Sequence, residues 1–533
     1  MYTNKKTNYS LVCETMKRMI IRFWYAPIVL VVLLMLSQIV LITIQSAFQR
    51  ITLWFLFLAL ISLPVSWLCL FIFKERRKAL ISIIWSIAAI CILLIPLLIA
   101  IISDPHVPNT SSDGRNRPDD FLLSNTVEEV AANTGVSYET SESERDIIRA
   151  SNDFSFRLFQ SVVANSNGKD ILISPLGVVY SLEIISNGAG GHTQKLLLQQ
   201  LGTSQYCLDD INALRRKMML CHAKVVEDDF LATKTAFMKS SNLLLFREGK
   251  TIKQDYVQTI GHDYFADCLS YQNEDDAKSI VDTWNKETNH GAFKDIPMEF
   301  DTNTDIYLIN TLLFNGAWVQ EFYDAKPDTF FVTKDDVRIV DMMSKTEKEG
   351  CFWYMQNNQY AMLRMPYVGG FYMDVILPNE NLTVDSLIKQ MNMEQYENST
   401  KVLKKYDIID VSFPKFHVKS EIDLKYLLAE MGLTDIFSKK ADLSLMRDSP
   451  LYVNKMKQNI EIDVDEKGTH VEAITSTSFA TLSEVSKPTR AEFYANRPFI
   501  YFIRDNFGSI CFAGVYRGRI HSDDRNCVYL DGK

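Results

Sequence analysis

One stretch, residues 461–503, limits what this chain can fold into more than any other. It opens on an alternating, strand-like segment, Glu461-Ile462-Asp463-Val464-Asp465, and turns through Glu466-Lys467-Gly468-Thr469. From His470 to Leu482 there is neither proline nor glycine, and a polar tract from Ser483 to Arg490 follows. The stretch closes on Phe493-Tyr494-Ala495-Asn496-Arg497-Pro498-Phe499-Ile500-Tyr501-Phe502-Ile503. Taken alone, this is a strand, a long Ser/Thr-rich loop and a strand. A loop of that length inside a compact domain is either functional or disordered.

Whole-chain averages hide a break. Residues 1–102 are almost all apolar, with ten Lys/Arg and two acids, whereas residues 103–533 hold 46 basic and 63 acidic side chains. The acidic part argues against nucleic-acid binding, which needs a basic footprint. Three apolar runs, residues 25–44, 53–73 and 79–102, each supply the roughly 20 helical residues that cross a bilayer. Pro27, Pro64 and Pro96 within them are tolerated in lipid, and Trp24, Tyr25 and Trp54 suit the interface. The basic amino terminus and the loop Lys74-Glu75-Arg76-Arg77-Lys78 are expected on the cytoplasmic side, which puts everything after Ile102 outside. Glycosylation sequons at Asn109, Asn381 and Asn398 fall on that side. The expectation is a multi-pass membrane protein, bilayer-bound through residues 25–102, with an extracellular or lumenal glycoprotein domain. The alternative is a secreted protein to which residues 1–102 were joined by an error of gene assembly.

Residues 103–146 read as a mobile polar linker holding at most a short helix near residues 126–133. From about Ile147 the texture changes. Phe154, Phe156, Leu158, Phe159 and Val162 give a helical stripe behind a cap at Ser151 or Asn152. Strand-like runs cover 306–313, 361–377 and 411–418, and helix-like runs cover 277–288 and 423–431. There is no internal repeat and no regular strand–helix alternation, so the fold class is α+β, dominated by large sheets. The domains are expected at 1–102, 103–146 and 147–521, with a tail at 522–533.

Several segments together resemble the serpins, the serine protease inhibitor superfamily. Glu466-Lys467-Gly468-Thr469 matches the hinge of their reactive-centre loop, and Phe493, Asn496, Arg497, Pro498 and Phe499 fall in the C-terminal signature. Ser174-Pro175, Asn310…Phe314-Asn315-Gly316-Ala317-Trp318, Pro414-Lys415-Phe416 and Met431-Gly432-Leu433-Thr434-Asp435-Ile436-Phe437 match further segments in family order. The resemblance covers about 150–521 and implies the serpin fold. It also implies a sheet-opening region at Ser174, Asp282, Asn310, Trp318 and Gln458. Two of these depart from the family, which usually carries His and Asn where counting places Gln458 and Asp282. Asp170 likewise replaces an Asn.

The resemblance implies suicide inhibition. A protease cleaves the loop, a covalent acyl complex forms, and the loop inserts as a new strand. The hinge residues are then Glu466, Lys467, Gly468, Thr469, Val471 and Ala473. The alternating inward set from Thr469 to Phe479 is free of charge and proline. Val471, Glu472 and Ile474 are bulkier than the small residues the family's inhibitors favour. Counting forward from the hinge places the scissile bond at Leu482–Ser483; counting back from the signature places it near Glu484. Leu482 suits chymotrypsin-like proteases, or papain-like cysteine proteases. The rival reading is a non-inhibitory ectodomain used for binding or adhesion.

Other patterns carry less. Gly188-Ala189-Gly190-Gly191 lacks the Lys-Ser/Thr of a phosphate loop and reads as a turn. Glu461, Asp463, Asp465 and Glu466 alternate along a strand and lack a calcium loop's glycine. Arg215-Arg216-Lys217 reads as a solvated helix face rather than a polyanion site. Nine cysteines show no metal-ligand spacing. No nucleophile constellation is visible, so the chain is read as no enzyme. No metal and no cofactor are expected, and the domain is expected to be monomeric.

Overall fold

Local signals decide where the elements begin. The computed structural model describes residues 126–135, 137–227, 235–289, 304, 306–348, 350–470, 489–518 and 529–530. Thr126 and Glu129 cap the helix Val127–Asn133 reciprocally, and its Val127 and Ala131 are buried. Ser141 and Glu144 do the same for the helix Glu142–Ala164. The cap expected at Ser151 or Asn152 is therefore corrected: the Ser-x-x-Glu signal lies upstream, in a segment read as linker. Asn152 is instead buried in mid-helix, where its Nδ2 donates to the Gly508 carbonyl at 2.8 Å and its Oδ1 accepts from the Ile510 amide at 2.9 Å. Ser174-Pro175 opens the helix Pro175–Gly188: Ser174 Oγ accepts from the Gly177 amide at 3.2 Å, and Pro175 fills a position that needs no amide.

Among the described residues, three sheets combine with these helices into an α+β fold. The largest runs β18 (Tyr529–Leu530), β12 (Phe416–Asp423), β13 (Lys457–Val464), β14 (Gly468–His470), β5 (Ile306–Ala317), β3 (Thr235–Arg247) and β2 (Val226–Glu227), with β4 (Ala266–Tyr271) also paired to β3. The second runs β1 (Ile171–Ile173), β17 (Ile510–Tyr516), β16 (Phe499–Arg504), β10 (Tyr372–Pro378), β9 (Tyr360–Pro366) and β8 (Trp353–Gln356). The third runs β15 (Arg490–Tyr494), β11 (Ile408–Pro414), β7 (Val337–Glu347) and β6 (Tyr323–Phe331).

Two strand-like runs of the sequence prove to be strand pairs. Residues 361–377 turn at Gly369 and Gly370, whose φ values of 78° and 85° suit glycine, so β9 and β10 fold back on each other. Residues 411–418 break at Lys415, and β11 and β12 join different sheets.

The main core includes Phe154, Phe159, Tyr180, Trp318, Phe413 and Tyr501. On the largest sheet, Val281 and Trp284 of the helix Glu274–Thr288 cluster with Leu243, Leu245, Tyr271 and Tyr307. Cys207, Cys221 and Cys511 are free thiols. The three apolar runs of residues 25–102 lie outside the described residues. Among the described residues no helix is long and apolar enough to cross a membrane.

Candidate functional site

β13 ends at Val464 and the chain reverses through Asp465, Glu466 and Lys467. Asp465 Oδ1 accepts from the Lys467 and Gly468 amides at 2.8 and 3.1 Å, and the Asp465 amide donates to the Gly468 carbonyl at 2.9 Å. β14 then runs antiparallel to both neighbours. Thr469 lies opposite Val464 of β13 and Gly316 of β5, and Gly468 lies opposite Ala317. The hinge read as the root of an exposed loop is therefore already a strand of the largest sheet.

Each hinge residue is held from a different direction. Glu466 Oε1 accepts from the Ala325 amide and its Oε2 from Lys415 Nζ, both at 3.1 Å, while the Phe322 amide donates to its carbonyl at 2.9 Å. Burial alone would raise the Glu466 carboxyl, but these hydrogen bonds and the Lys415 charge outweigh it and hold the group below its usual range. The Lys467 carbonyl accepts from the Trp318 amide at 2.8 Å, and the Trp318 indole donates to the Asp465 carbonyl at 3.0 Å. That ring stacks on Tyr367 with centroids 4.1 Å apart, and the Tyr367 hydroxyl lies 2.6 Å from Thr469 Oγ1. The Asn310-to-Trp318 segment thus builds the far wall of the hinge slot. Tyr367 was not visible from sequence, because it comes from the turn between β9 and β10. Asp465 and Lys415 were seen only as an acid and as part of a motif.

Glycine at 468 is required by close approach. A Cβ there would fall 2.1 Å from the Gly316 carbonyl oxygen and 2.9 Å from Ala317 Cα, both backbone atoms that cannot rotate away. Gly468→Ala is expected to push β14 off β5. Amide hydrogen exchange of residues 466–470 should then rise about tenfold or more, the equivalent of losing about 1.4 kcal/mol of local pairing. Unchanged protection would contradict this packing.

Among the described residues no strand lies between the rest of β13 and β5, and an apolar cleft there is lined by Ile306, Leu308, Asn310, Tyr452, Met456 and Gln458. Gln458 is buried and spans to the helix Pro175–Gly188: its Oε1 accepts from the Ser174 amide at 2.7 Å and its Nε2 donates to the Ser174 carbonyl at 2.9 Å. Ser174 Oγ donates to the Cys511 carbonyl at 2.9 Å, and Asn310 Nδ2 donates to Asn242 Oδ1 at 2.8 Å. A Cβ at Gly177 would sit 2.5 Å from Asn310 Oδ1 and 3.3 Å from Gln458 Nε2, so helix and sheet meet here. Of the residues read as a sheet-opening region, Ser174, Asn310 and Gln458 are thus brought together, and Trp318 lies at the hinge. Asp282 is not among them. It lies exposed on the helix Glu274–Thr288, whereas Asn310 of β5 approaches Gly177 beside Gln458. Gln458→Met leaves the Ser174 amide and carbonyl unpaired in a buried place, which costs about 1–3 kcal/mol per group. The expected result is a lower unfolding midpoint than wild type; an equal midpoint would remove Gln458 from this role.

The far end of the loop is pinned in a different sheet. Thr489 donates from both its amide and its hydroxyl to Asp407 Oδ2, at 2.7 and 2.8 Å, and Arg490 Nε donates to Asp410 Oδ2 at 2.7 Å. Phe493 is buried in β15, which runs parallel to β11. The Phe331 amide donates to the Asn496 carbonyl at 2.7 Å, Arg497 Nε donates to the Pro378 carbonyl at 2.9 Å, and after Pro498 the chain enters β16 at the buried Phe499. Val471, Ala473, Leu482, Ser483 and Glu484 lie outside the described residues.

The other patterns resolve structurally. The Gly190 amide donates to the Asp442 carbonyl at 2.9 Å, so the glycine run is a turn between two helices facing an acidic residue. Arg215-Arg216-Lys217 is not a solvated face. Arg215 is wholly buried on Glu183, Arg216 donates to the His262 carbonyl, and Lys217 pairs with Glu144 at 3.1 Å.

With this geometry in place, comparison with known proteins is specific. A family model described as Serpin (serine protease inhibitor) matches residues 149–517. Serine proteinase inhibitor 1 of vaccinia virus (strain Western Reserve) is 26% identical over 67% of this chain and 98% of its own length. Human Serpin I2 is 26% identical over 70% of this chain and 92% of its own. The native-state structure of Tengpin, a thermophilic serpin, superposes with a TM-score of 0.62 at 24% identity, covering 75% of this chain and all of that one, a likeness of fold. These matches correct the reading of the chain as no enzyme. The matched family and the relatives named as proteinase inhibitors place it within a protease's reaction, where serpins act as suicide substrates.

Proposed function

The chain belongs to the serpin family of serine protease inhibitors, and from that premise we propose that it traps a chymotrypsin-like endopeptidase by loop insertion. The protease serine attacks the carbonyl carbon of Leu482, the nitrogen of Ser483 departs with a proton as the new amino terminus, and an ester links Leu482 to the protease. The freed segment then follows β14 between β13 and β5 as an added strand. The tethered protease is carried along, and its active site is deformed before water reaches the ester. One observation carries this reading: β14 already holds the first pairs of the slot, above strand edges that face each other across an apolar cleft. Strand addition satisfies such edges. Val471 and Ala473 continue the inward set behind Thr469, and Leu482 with Phe479 upstream suits a large apolar specificity pocket.

Incubation with a panel of chymotrypsin-like and papain-like proteases tests this. The expected result is a complex that survives denaturation, with mass spectrometry finding Ser483 as the new amino terminus. A terminus at Val485 moves the bond to Glu484. Cleavage without any complex across the panel supports the non-inhibitory binding reading, to which the bulky Val471, Glu472 and Ile474 point.

We propose also that residues 1–102 anchor the chain through three spans, with a linker that ends before the capped helix Val127–Asn133, a monomeric inhibitor domain outside the cytoplasm that continues to about 521, and 522–533 as tail. The support is the apolar runs and the basic flanks of residues 1–102. Protease added to intact cells is expected to remove a tag placed after Lys533; a surface-resident chain whose tag survives overturns the orientation.

A further inference from the structure

We propose that His417, Glu461 and Asp463 form a binding site for a divalent transition cation of the zinc class, on the solvent face of the largest sheet beside the hinge. β12 and β13 are antiparallel, with His417 opposite Asp463 and Lys419 opposite Glu461. Alternation sends Val418, Ile462 and Val464 into the core and leaves His417, Glu461 and Asp463 together on the outer face. His417 Nδ1 lies 2.7 Å from Asp463 Oδ1, and its Nε2 lies 3.6 Å from Glu461 Oε1. One ligand atom from each residue falls within 4.8 Å of the other two. Zinc bonds of about 2.0–2.2 Å place neighbouring ligand atoms roughly 3.3 Å apart around a tetrahedral centre. Small rotamer changes of exposed side chains reach that spacing, and water completes the shell.

The donor set selects the ion. An imidazole with two carboxylates suits zinc, cobalt, nickel or copper, whereas calcium and magnesium take oxygen ligands alone. The competing arrangement is a pair of surface ion pairs, His417 with Asp463 and Lys419 with Glu461 at 3.6 Å. Exposed pairs of this kind contribute little, so a cation displaces them at small cost. Asp463 is also the strand partner of position 470 in β14. A cation there ties β12 to β13 on the strand that flanks the hinge.

The test uses the full-length chain purified without a histidine tag. Titration with Zn²⁺ at pH 8 is expected to show one equivalent bound, Co²⁺ should give visible d–d absorbance at the same stoichiometry, and Ca²⁺ should not compete. His417→Ala and Asp463→Asn should each weaken Zn²⁺ binding by roughly tenfold to a hundredfold, with circular dichroism confirming an intact fold. His262→Ala is the control, because His262 lies 2.6 Å from Asp263 in another exposed pair. Its binding should equal wild type. No binding by wild type, or equal binding by the His417→Ala variant, overturns the site. The readout is independent of protease trapping, so either proposal can fail without the other.

Discussion

Thr469→Arg is expected to turn this chain from an inhibitor into a substrate. Thr469 is 2% exposed, its Oγ1 lies 2.6 Å from the Tyr367 hydroxyl, and its backbone pairs with β13 and β5. Tyr367 and Trp318, the rings that wall this place, carry no countercharge. Burying an unpaired charge costs several kcal/mol even after relaxation, while a backbone hydrogen bond contributes only about 1 kcal/mol net. The charge wins and β14 leaves the slot. The bond after Leu482 remains open to attack, because it lies thirteen residues further along. Deacylation then outruns insertion. The inhibitor consumed per protease inactivated should rise about tenfold or more, since each 1.4 kcal/mol added to the insertion barrier slows it tenfold. Thr469→Ala loses one hydrogen bond and should keep most inhibition. Residual protease activity against inhibitor ratio, with a denaturing gel, reads the outcome. An Arg variant that traps protease at wild-type stoichiometry sinks the insertion mechanism.

Arg215→Leu should cause the largest loss of global stability. Arg215 and Glu183 are both wholly buried, with Nε and Nη2 donating to the carboxylate at 2.9 Å and Nη2 also meeting Ser151 Oγ at 2.5 Å. Burial opposes the guanidinium charge, but Glu183 outweighs it and pushes the Arg215 pKa up. Removing the arginine strands Glu183, which costs about 3–5 kcal/mol. Replacing both residues with leucine removes the stranded charge and should recover most of the loss. Urea midpoints of the two variants decide this. A single variant within about 1 kcal/mol of wild type would show that the pair is not what holds the helices Pro175–Gly188 and Leu208–Ala223 together.

The α+β class and the two ends of the loop were legible because each rests on a local pattern. Ser174-Pro175 is a helix cap, Gly468 a point of backbone contact, and Phe499 the start of a buried strand. What stayed hidden depends on strands distant in sequence. Nothing local marks Tyr367 as the residue that holds Thr469, since the two are joined only by the arrangement of β5 beside the β9–β10 turn. The same cause misplaced Asp282, where a count along the chain could not see that Asn310 faces Gln458 across the cleft. It also hid Arg215, whose charge suggests solvent until Glu183 is found beside it.

The two roots of residues 471–488 lie in separate sheets, and the chain after Arg490 supplies β15, β16 and β17 to two sheets. β16 and β17 are buried along their whole length and sit between β1 and β10. A chain severed near Leu482 would therefore not shed its carboxyl-terminal piece. It would persist as a two-piece particle, of unchanged mass in any gentle separation, with the break apparent only after denaturation. Such a cut is a permanent mark of one encounter: the fragments stay interlocked, no rejoining reaction is at hand, and the molecule cannot be reset for a second use.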